Sequence, residues 1–263
     1  MNKHTRSGPA TVALATVAGL ALAGCGTSAA TSGAATSGAA SSTTAPGHAA
    51  TSSATPASGG VVSAASLPFP VAVGNTWVYD SSVPSAGSTS TVTNKILSVV
   101  PVTGGSRVTE SYADSLSPST TRSTYIFHSD GTITFPLGQA TGGTLASSSG
   151  GILLPSAADI ATGKPYRSVL TLGFKQDGQT MKEISHVTVR GAGTATVTVP
   201  AGTYRATIVD MTMVMTVSGI TVSIEIRTWV ANGIGQVKSE VSTGVADHSA
   251  VTGIDELKSF TKG

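Results

Sequence analysis

The chain has 263 residues, of which 40% are hydrophobic and only 11% are charged, and its formal net charge is +2. A nearly neutral chain without runs of like charge has no field that would draw it onto nucleic acid, so we expect no nucleic-acid partner. The single cysteine, Cys25, permits no intramolecular disulfide, and the fold must therefore be held by its core.

Residues 1–24 are predicted to be a secretory signal peptide. A lysine, a histidine and an arginine lie within the first six residues, and an apolar stretch follows from about Ala10 to Ala23. This stretch is too short to span a bilayer as a permanent helix. Its removal would leave 13 basic and 13 acidic residues, because two bases are lost and no acid precedes Cys25.

The segment that ends the signal is Leu22-Ala23-Gly24-Cys25. It resembles the lipobox of bacterial lipoproteins, in which a branched apolar residue and two small residues precede the cysteine that becomes the new N-terminus. The resemblance implies that the Cys25 thiol carries a diacylglycerol and that the chain is cleaved just before it. We therefore expect a palmitate-type lipid anchor on the extracytoplasmic face of the membrane, in the cell envelope. A buried structural cysteine would need a folded neighbourhood, which the next segment does not provide.

Residues 25–66 are predicted to be the lipidated cysteine and a disordered tether. From residue 26 on, the tether consists almost wholly of Ala, Gly, Ser, Thr and Pro, with no acid, lysine, arginine or aromatic residue. Such a segment cannot bury enough apolar surface to offset the entropy lost on ordering. As a flexible coil it would span about 35 Å on average, which would hold a domain clear of the bilayer. Its composition also resembles O-glycosylated stalks, although a plain spacer is the simpler interpretation.

Residues 67–263 are predicted to form one all-β domain. Short runs of β-branched and aromatic residues alternate there with Gly, Asp-Gly and Pro punctuation. We expect nine to twelve antiparallel strands in a single, strongly curved sheet that forms a half-open or closed barrel, with at most one or two short helices.

The most strongly patterned unit is the hairpin over residues 207–230. Apolar and polar residues alternate in both arms, and Ser218-Gly219 fits a two-residue hairpin loop. This loop fixes a register in which the numbers of paired residues sum to 437. Met213 then faces Ile224 on one side, and Asp210 falls opposite Arg227 on the other.

Two further hairpins are predicted around Asp-Gly loops, and the sequence contains one plausible helix. The helix covers Ser156–Thr162, with Ser156 as N-cap and Gly163 as stop. Gly138–Gly151 is predicted to be a low-complexity loop, and Gly191-Ala-Gly193 a bulge or turn. The remaining predicted strands are Tyr125–Ser129, Thr132–Phe135, Val169–Phe174, Met181–Val189, Thr76–Asp80, Thr91–Val100, Arg107–Ala113, Thr194–Val199, Gly235–Ser242 and Glu256–Phe260.

Three segments together resemble a broad group of bacterial envelope β-proteins. They begin at Pro68 (a Gly-Asn-x-Trp-x-Tyr strand), at Val197 (a Val-Pro-Ala-Gly-Thr-Tyr turn) and at Thr228 (a Trp followed by Gly-Ile-Gly-x-Val). Many members of this group are lipoproteins without a known activity, and their architecture is similar to the open β-barrels of lipoprotein carriers. The shared residues are structural: Pro200 and Gly202 should shape a turn, Gly233 and Gly235 a bend, and Trp77 and Trp229 should fill a core.

The sequence contains no pattern that indicates an enzyme. The nucleophile elbow, the zinc-protease motif and the phosphate-binding loop are all absent. His128-Ser129-Asp130 and Asp247-His248-Ser249 contain triad residue types, but adjacent residues on a strand point to opposite faces. The first triple is better explained as the shoulder of a hairpin. We expect no catalytic residue, no metal site and no cofactor.

The feature with the clearest functional potential is the apolar face of the 207–230 hairpin, because methionine gives a soft, adaptable surface. In an open barrel this face could bind a lipid or another apolar ligand, and in a closed one it would simply be core. We therefore expect a non-enzymatic, lipid-anchored envelope protein that binds an apolar ligand or another envelope protein. The alternative is a structural or protein-interaction module with a filled core. The candidate ligand-binding residues are Val209, Met211, Met213, Met215, Val217, Val222, Ile224 and Ile226.

Overall fold

A computed structural model describes residues 69–135, 145–149, 151–176, 179–217, 220–245 and 248–263. The predicted signal peptide, Cys25 and the tether lie outside these residues. The described chain forms one α-helix, α1 (Ala157–Ala161), and a 3₁₀ turn at Pro84–Ala86. Its strands are β1 (Thr76–Val83), β2 (Ser88–Val102), β3 (Gly105–Asp114), β4 (Thr120–His128), β5 (Ile133–Phe135), β6 (Leu145–Ser149), β7 (Ile152–Leu154), β8 (Tyr166–Gln176), β9 (Gln179–Val199), β10 (Gly202–Val217), β11 (Ile220–Ala231), β12 (Gly235–Val245) and β13 (His248–Thr261).

All thirteen strands belong to one antiparallel sheet in the order β6-β8-β9-β10-β11-β12-β13-β1-β2-β3-β4-β5-β7. The sheet curls until edge strand β7 lies beside β8, which makes a nearly closed barrel. The predicted fold class, an all-β curved antiparallel sheet with a short helix, is confirmed. The described strands and the core cluster all lie between residues 69 and 263.

The strand count exceeds the predicted nine to twelve for two reasons. The segment Gly138–Gly151, predicted to be a loop, contains β6, whose serine-rich sequence gives no strand signal; the rest of this segment is described only at its last residue. The short strand β7 was also missed. In the opposite sense, two predicted strands are halves of the single strand β9.

Strand β9 stays continuous because it absorbs a bulge at the predicted position. The pairing with β10 shifts between Thr194, opposite Thr207, and Gly191, opposite Val209. Gly193 has a φ of 95°, a left-handed conformation that favours glycine. A Cβ at Gly191 would lie 2.1 Å from the carbonyl oxygen of Ile160, so only glycine lets α1 pack against this strand.

Helix α1 begins and ends as predicted. The Ser156 hydroxyl oxygen accepts a hydrogen bond from the Asp159 backbone N–H at 3.2 Å, which is an N-cap contact. The helix stops before Gly163, whose φ is 69°. Its Ile160 side chain is buried in the core cluster. Among the described residues, no helix has the length and apolar character needed to cross a bilayer.

The hairpin of β10 and β11 has the predicted register. Every recorded pair sums to 437, from Ala206 opposite Ala231 to Val217 opposite Ile220. On the outer face, Asp210 Oδ1 accepts a hydrogen bond from Arg227 Nε at 2.8 Å, and Asp210 Oδ2 lies 3.5 Å from Arg190. The register predicted from the turn residues and the alternation is therefore confirmed for this hairpin.

The Gly-Asn-x-Trp-x-Tyr segment joins the two ends of the domain. The Asn75 amide donates to the Pro70 carbonyl at 2.7 Å and accepts from the Gly263 backbone N–H at 3.0 Å. Trp77 Nε1 donates to the Ile234 carbonyl at 2.6 Å, and its ring stacks on Phe260. These contacts give the shared residues the structural roles expected of them.

The Val-Pro-Ala-Gly-Thr-Tyr segment makes the β9–β10 turn, in which Gly202 has a φ of 136°. The Ala201 backbone N–H donates to the Leu257 carbonyl of β13 at 2.8 Å, although β13 is not a sheet neighbour of β9 or β10. Tyr204 Oη holds the turn from its own side by donating to the Ala201 carbonyl at 3.1 Å. The turn therefore folds across one end of the barrel.

The two ends of the barrel can be named from this topology. The proximal end carries the entry of the chain at residue 69, the C-terminus and the β9–β10 turn, and the distal end carries the β1–β2 and β3–β4 connections and the C-terminal ends of β8, β10 and β12. The turn across β13 therefore covers part of the proximal end.

Trp229 corrects one expectation. Thr228 and Val230 face the interior, so strand alternation places Trp229 on the outer face. It is half-buried at the margin of the core, with Lys238 Nζ 5.5 Å from its ring centroid. Trp77 alone of the two tryptophans is buried in the core.

Substitution in the core should destabilise the hairpin far more than substitution of its ion pair. Met213→Ala should lower the free energy of unfolding by about 2–5 kcal/mol, because it empties buried volume. Asp210→Asn should lower it by about 1 kcal/mol or less, since both arginines are more than half exposed. Urea unfolding of both variants measures the difference, and equal losses would contradict this assignment.

Candidate functional site in the barrel interior

The apolar wall of the barrel interior lies on β10 and β11 and consists of the predicted ligand-binding residues. Six of them are at most 6% exposed, and Ile224 is half-buried. The side chain of Val217 lies outside the described part of the structure, although its backbone pairs with Ile220. The six buried residues are Val209, Met211, Met213, Met215, Val222 and Ile226.

The low exposures of these side chains show whether the apolar wall borders open space. A space large enough for water beside Met211 or Met213 would leave those side chains measurable accessible surface, yet they are 2% and 1% exposed. Strand β9, which flanks the apolar wall, also lies near β12 and β13. The wall is therefore packed in this conformation, and ligand binding at it stays a prediction.

A polar wall lies on β2 and β3, roughly opposite the apolar wall in the strand order. We define it by the inward-facing residues Asn94, Glu110, Tyr112 and Asp114. The register places Asn94 opposite Tyr112, and Glu110 opposite Ile96. The interior of the barrel thus has one hydrocarbon side and one side rich in hydrogen-bonding groups.

Two members of the polar wall are buried at an energetic cost. Asn94 is 1% exposed, and neither its amide oxygen nor its amide nitrogen has a hydrogen-bond partner. Glu110 is 4% exposed, and its Oε1 also has none. A buried polar group without a partner costs roughly 1–3 kcal/mol, so native proteins carry few of them. Such groups mark a place where a ligand could supply the missing bonds.

Burial also sets the ionisation of the polar wall. Desolvation raises the pKa of Glu110 to about 8. It raises the pKa of Tyr125 as well, with the negative charge of Glu110 as the second cause. At neutral pH Glu110 is therefore mostly protonated and can donate a hydrogen bond. A perturbed carboxyl group in an interior is typical of functional sites, although structural sites also contain them.

The polar side continues across β1, β13, β12 and β11 as one row of inward positions. Cross-strand pairing aligns Ser81 with Asp255, Asp255 with Ser239, and Ser239 with Thr228. Ser239 Oγ donates to Asp255 Oδ2 at 3.4 Å. The buried Gln236 side chain lies near this row and has no hydrogen-bond partner for its amide atoms. Polar groups therefore line much of the interior away from the apolar wall.

At the distal end of the barrel, exposed apolar side chains occupy strand positions whose alternation points into the interior. Ile220 is 48% exposed and Val245 is 42% exposed, and each lies next to a hairpin loop. The proximal end is partly covered by the β9–β10 turn. The distal rim is therefore the more open route to the interior.

A separate cleft of about 510 Å³ opens where β1, β2 and β13 meet the β3–β4 loop. Apart from Ile254 its lining is polar, and it includes the carboxylates Asp80 and Glu256. Lys258 Nζ lies 3.0 Å from Asp80, and Lys238 Nζ lies 3.3 Å from Glu256. The cleft does not suit an apolar chain, and its carboxylates are already paired.

The two Ser/His/Asp triples have no catalytic arrangement in the described residues. Asp130 Oδ1 accepts from the Thr132 backbone N–H at 2.9 Å, which lowers the pKa of Asp130 and stabilises the turn. His128 Nε2 lies 3.0 Å from the Thr134 hydroxyl. Asp247 and the side chain of His248 are outside the described residues. Within the described ranges, no three His, Cys, Asp or Glu residues cluster to hold a metal.

The polar wall was not predicted from the sequence. Asn94 occupies the same alternation as Val92 and Ile96, and Glu110 the same alternation as Val108. The signal in the sequence was therefore a polar residue at a position where the alternation otherwise places apolar residues. What could not be foreseen was that both residues would lack partners, because this depends on which strands face each other across the barrel.

Comparisons with known proteins agree with the fold. Residues 151–245, from β7 to β12, match the model of the DUF3108-like family. No curated protein sequence matches the chain.

Two solved structures are similar over most of the domain. One is a predicted exported protein with a YmcC-like fold from Bacteroides fragilis NCTC 9343, with 18% identity and a TM-score of 0.52, covering 75% of this chain and all of the other. The second is a predicted lipoprotein from Parabacteroides distasonis ATCC 8503, with 16% identity and a TM-score of 0.54, covering 76% of this chain and all of the other. At these identities the likeness shows the fold alone.

The raised pKa of Glu110 predicts that stability falls as pH rises. The folded state holds a proton that the unfolded chain, with a pKa of 4.5, releases. The stability that this bound proton gives the folded state is therefore fully present below pH 4.5 and is lost as pH rises towards about 8. Between pH 5 and pH 8 this amounts to roughly 3–4 kcal/mol.

Glu110→Gln should remove this dependence, and it should make the protein more stable than wild type at pH 8. Chemical unfolding of both proteins at pH 5 and pH 8 measures the effect. Parallel pH profiles for the two proteins would show that Glu110 is not buried in its neutral form.

Proposed function

We propose that the protein is a lipid-anchored, extracytoplasmic binding protein that takes an amphiphilic ligand between the apolar wall and the polar wall. The observation that carries this proposal is the pair of buried, unpartnered groups on Asn94 and Glu110, roughly opposite a methionine-rich surface. A purely structural interior would be more stable with apolar residues at these two positions.

The chemistry of the two walls suggests the class of ligand. Protonated Glu110 donates one hydrogen bond, and the Asn94 amide can both donate and accept. These groups suit a head group that carries ester, amide or carboxyl oxygens. Acyl chains would contact Met211, Met213 and Met215, whose flexible thioethers can repack around hydrocarbon.

Ligand entry requires the packed interior to open. The exposed Ile220 and Val245 at the distal rim offer apolar contacts at the start of such a route. The edge strands β6 and β7 are another place at which the walls could separate, because they are not hydrogen-bonded to each other. An acyl chain would then pack against the methionine side chains of the apolar wall.

The proposed location rests on the lipobox-like segment that ends at Cys25. The two structurally similar proteins are described as exported and as a lipoprotein, which is consistent with a fold used outside the cytoplasm. We also propose that the protein has no catalytic activity and needs no cofactor, since no nucleophile–base pair can be identified in the sequence.

A second candidate function is supported by the packing of the apolar wall. Met211 and Met213 have almost no accessible surface, as expected of a filled core. In that case the protein is a structural or interaction module, and its partner, another envelope protein, binds to the outside of the barrel. The two candidates differ in whether the interior ever holds a small molecule.

Titration of residues 67–263 with a fluorescent fatty acid distinguishes the two candidates. The amphiphile-binding protein should show saturable uptake with one ligand for each chain. Asn94→Leu should weaken binding by roughly 5–100-fold, the equivalent of losing a buried hydrogen bond to the head group. Thr93→Leu, on the outer face of the same strand, should bind as wild type does. Absence of saturable uptake by wild type would favour the filled module.

The anchor is tested separately by Cys25→Ala in the full chain. The variant should move from the membrane fraction to the soluble extracytoplasmic fraction, because no acyl chain is attached. Fractionation followed by immunoblotting measures the shift. Retention of the variant in the membrane fraction would show that Cys25 is not the anchor.

A further inference from the structure

The outer face of β2, β3 and β4 carries a set of cations, which we call the basic face: Lys95, Arg107 and Arg122. Cross-strand pairing places Ser111 between Lys95 and Arg122 in one row. Neighbouring rows hold Ser98, Thr109 and Thr124, then Val100, Arg107 and Ile126. The three cations are exposed and surrounded by hydroxyl groups.

The basic face contains no compensating acid among the described residues. The two acids of these strands, Glu110 and Asp114, are buried on the inner side. Asp130, in the β4–β5 turn, is hydrogen-bonded to Thr132. Several cations on other strands are paired: Arg227 with Asp210, Lys238 with Glu240 and Glu256, and Lys258 with Asp80. The basic face is therefore locally positive, although the mature chain is close to neutral.

At Arg107 the basic face reaches the end of the barrel where the chain enters. Val100, which pairs with Arg107, is 48% exposed, and Val73 is 54% exposed. The Gly74 backbone N–H donates to the Ile96 carbonyl at 2.9 Å, so the entering segment runs beside β2. Exposed apolar side chains and unpaired cations thus occur together at the end nearest to residue 69, where the predicted tether joins.

We propose that the basic face docks the domain on an anionic phospholipid surface. Lys95, Arg107 and Arg122 bind lipid phosphate groups, and the serine and threonine hydroxyls between them donate further hydrogen bonds. Val100 and Val73 contact the interface between head groups and acyl chains. The occupant is a membrane because the face combines charge complementarity with exposed valines and reaches the end where the tether joins.

This docking rests on the proposed anchor for its place in the cell, but its chemistry is independent of the anchor. Each cation near an anionic surface strengthens binding roughly five-fold, and three together roughly 100-fold. This is weak for a free domain. A tether to the same membrane makes the contact intramolecular and raises the effective concentration of the domain at the surface. Docking would hold the proximal end towards the bilayer and leave the distal rim facing away.

The test is co-sedimentation of residues 26–263, which lack the signal peptide and Cys25, with vesicles. Mixed vesicles of phosphatidylcholine and phosphatidylglycerol should bind the chain, and vesicles of phosphatidylcholine alone should not. Binding should weaken as salt rises. Because this chain has no acylated cysteine, the result does not depend on the anchor. Failure of the docking proposal would therefore leave the anchor proposal intact, and failure of the anchor proposal would leave the docking proposal intact.

Charge-matched variants make the test specific to the basic face. The triple variant Lys95→Gln, Arg107→Gln, Arg122→Gln should bind anionic vesicles roughly 100-fold more weakly. The control Arg190→Gln, Arg205→Gln, Lys258→Gln loses the same charge from exposed positions elsewhere and should bind nearly as wild type does. Circular dichroism checks that both variants are folded.

Three outcomes would overturn the proposal. Wild type could fail to bind anionic vesicles, or the two triple variants could lose binding equally, which would indicate net charge alone. Displacement of the chain from vesicles by inorganic phosphate at the same phosphate concentration would indicate a free-anion site instead of a membrane surface.

Discussion

Alternation of side chains along antiparallel strands is the constraint on which the rest of this structure depends. Once the sheet curls into a barrel, every second residue of each strand must enter the interior, whatever its chemistry. The same rule places Met213 in the apolar wall, Glu110 in the polar wall and Arg107 on the outer face. Interior polarity and exterior charge are thus two consequences of one register, which is set by tight turns and bulges.

Two features of the interior have opposite effects on the stability of the barrel. Packing of the apolar wall stabilises the barrel, whereas Asn94 and Glu110 destabilise it because their polar atoms are buried without partners. The anchoring contacts of Asn75 and Trp77 and the turn across β13 hold the proximal end in place. The edge strands β6 and β7 each lack a hydrogen-bonded strand on one side. A ligand that satisfied the polar wall would therefore enter where the barrel is easiest to open.

Much of this fold was predictable because its information is local. The β10–β11 register followed from a two-residue loop and a period of two, and helix α1 followed from an N-cap serine and a stop glycine. Strand β6 was not predictable, since its serine-rich sequence pairs only because β8 offers it an edge. Trp229 was misplaced for a related reason, as one step in register decides which face a side chain occupies. The polar wall depends on contacts across the barrel, which a sequence read strand by strand does not contain.

The central claim is that the barrel interior accommodates an amphiphile. Native mass spectrometry of residues 67–263, secreted from a bacterial host and purified without detergent, tests it most directly. The account predicts a fraction of the protein with the added mass of a single acyl lipid, and loss of that species in the Asn94→Leu variant. A single mass equal to the unmodified chain, unchanged after incubation with fatty acid, would contradict it and would leave the barrel as a filled core.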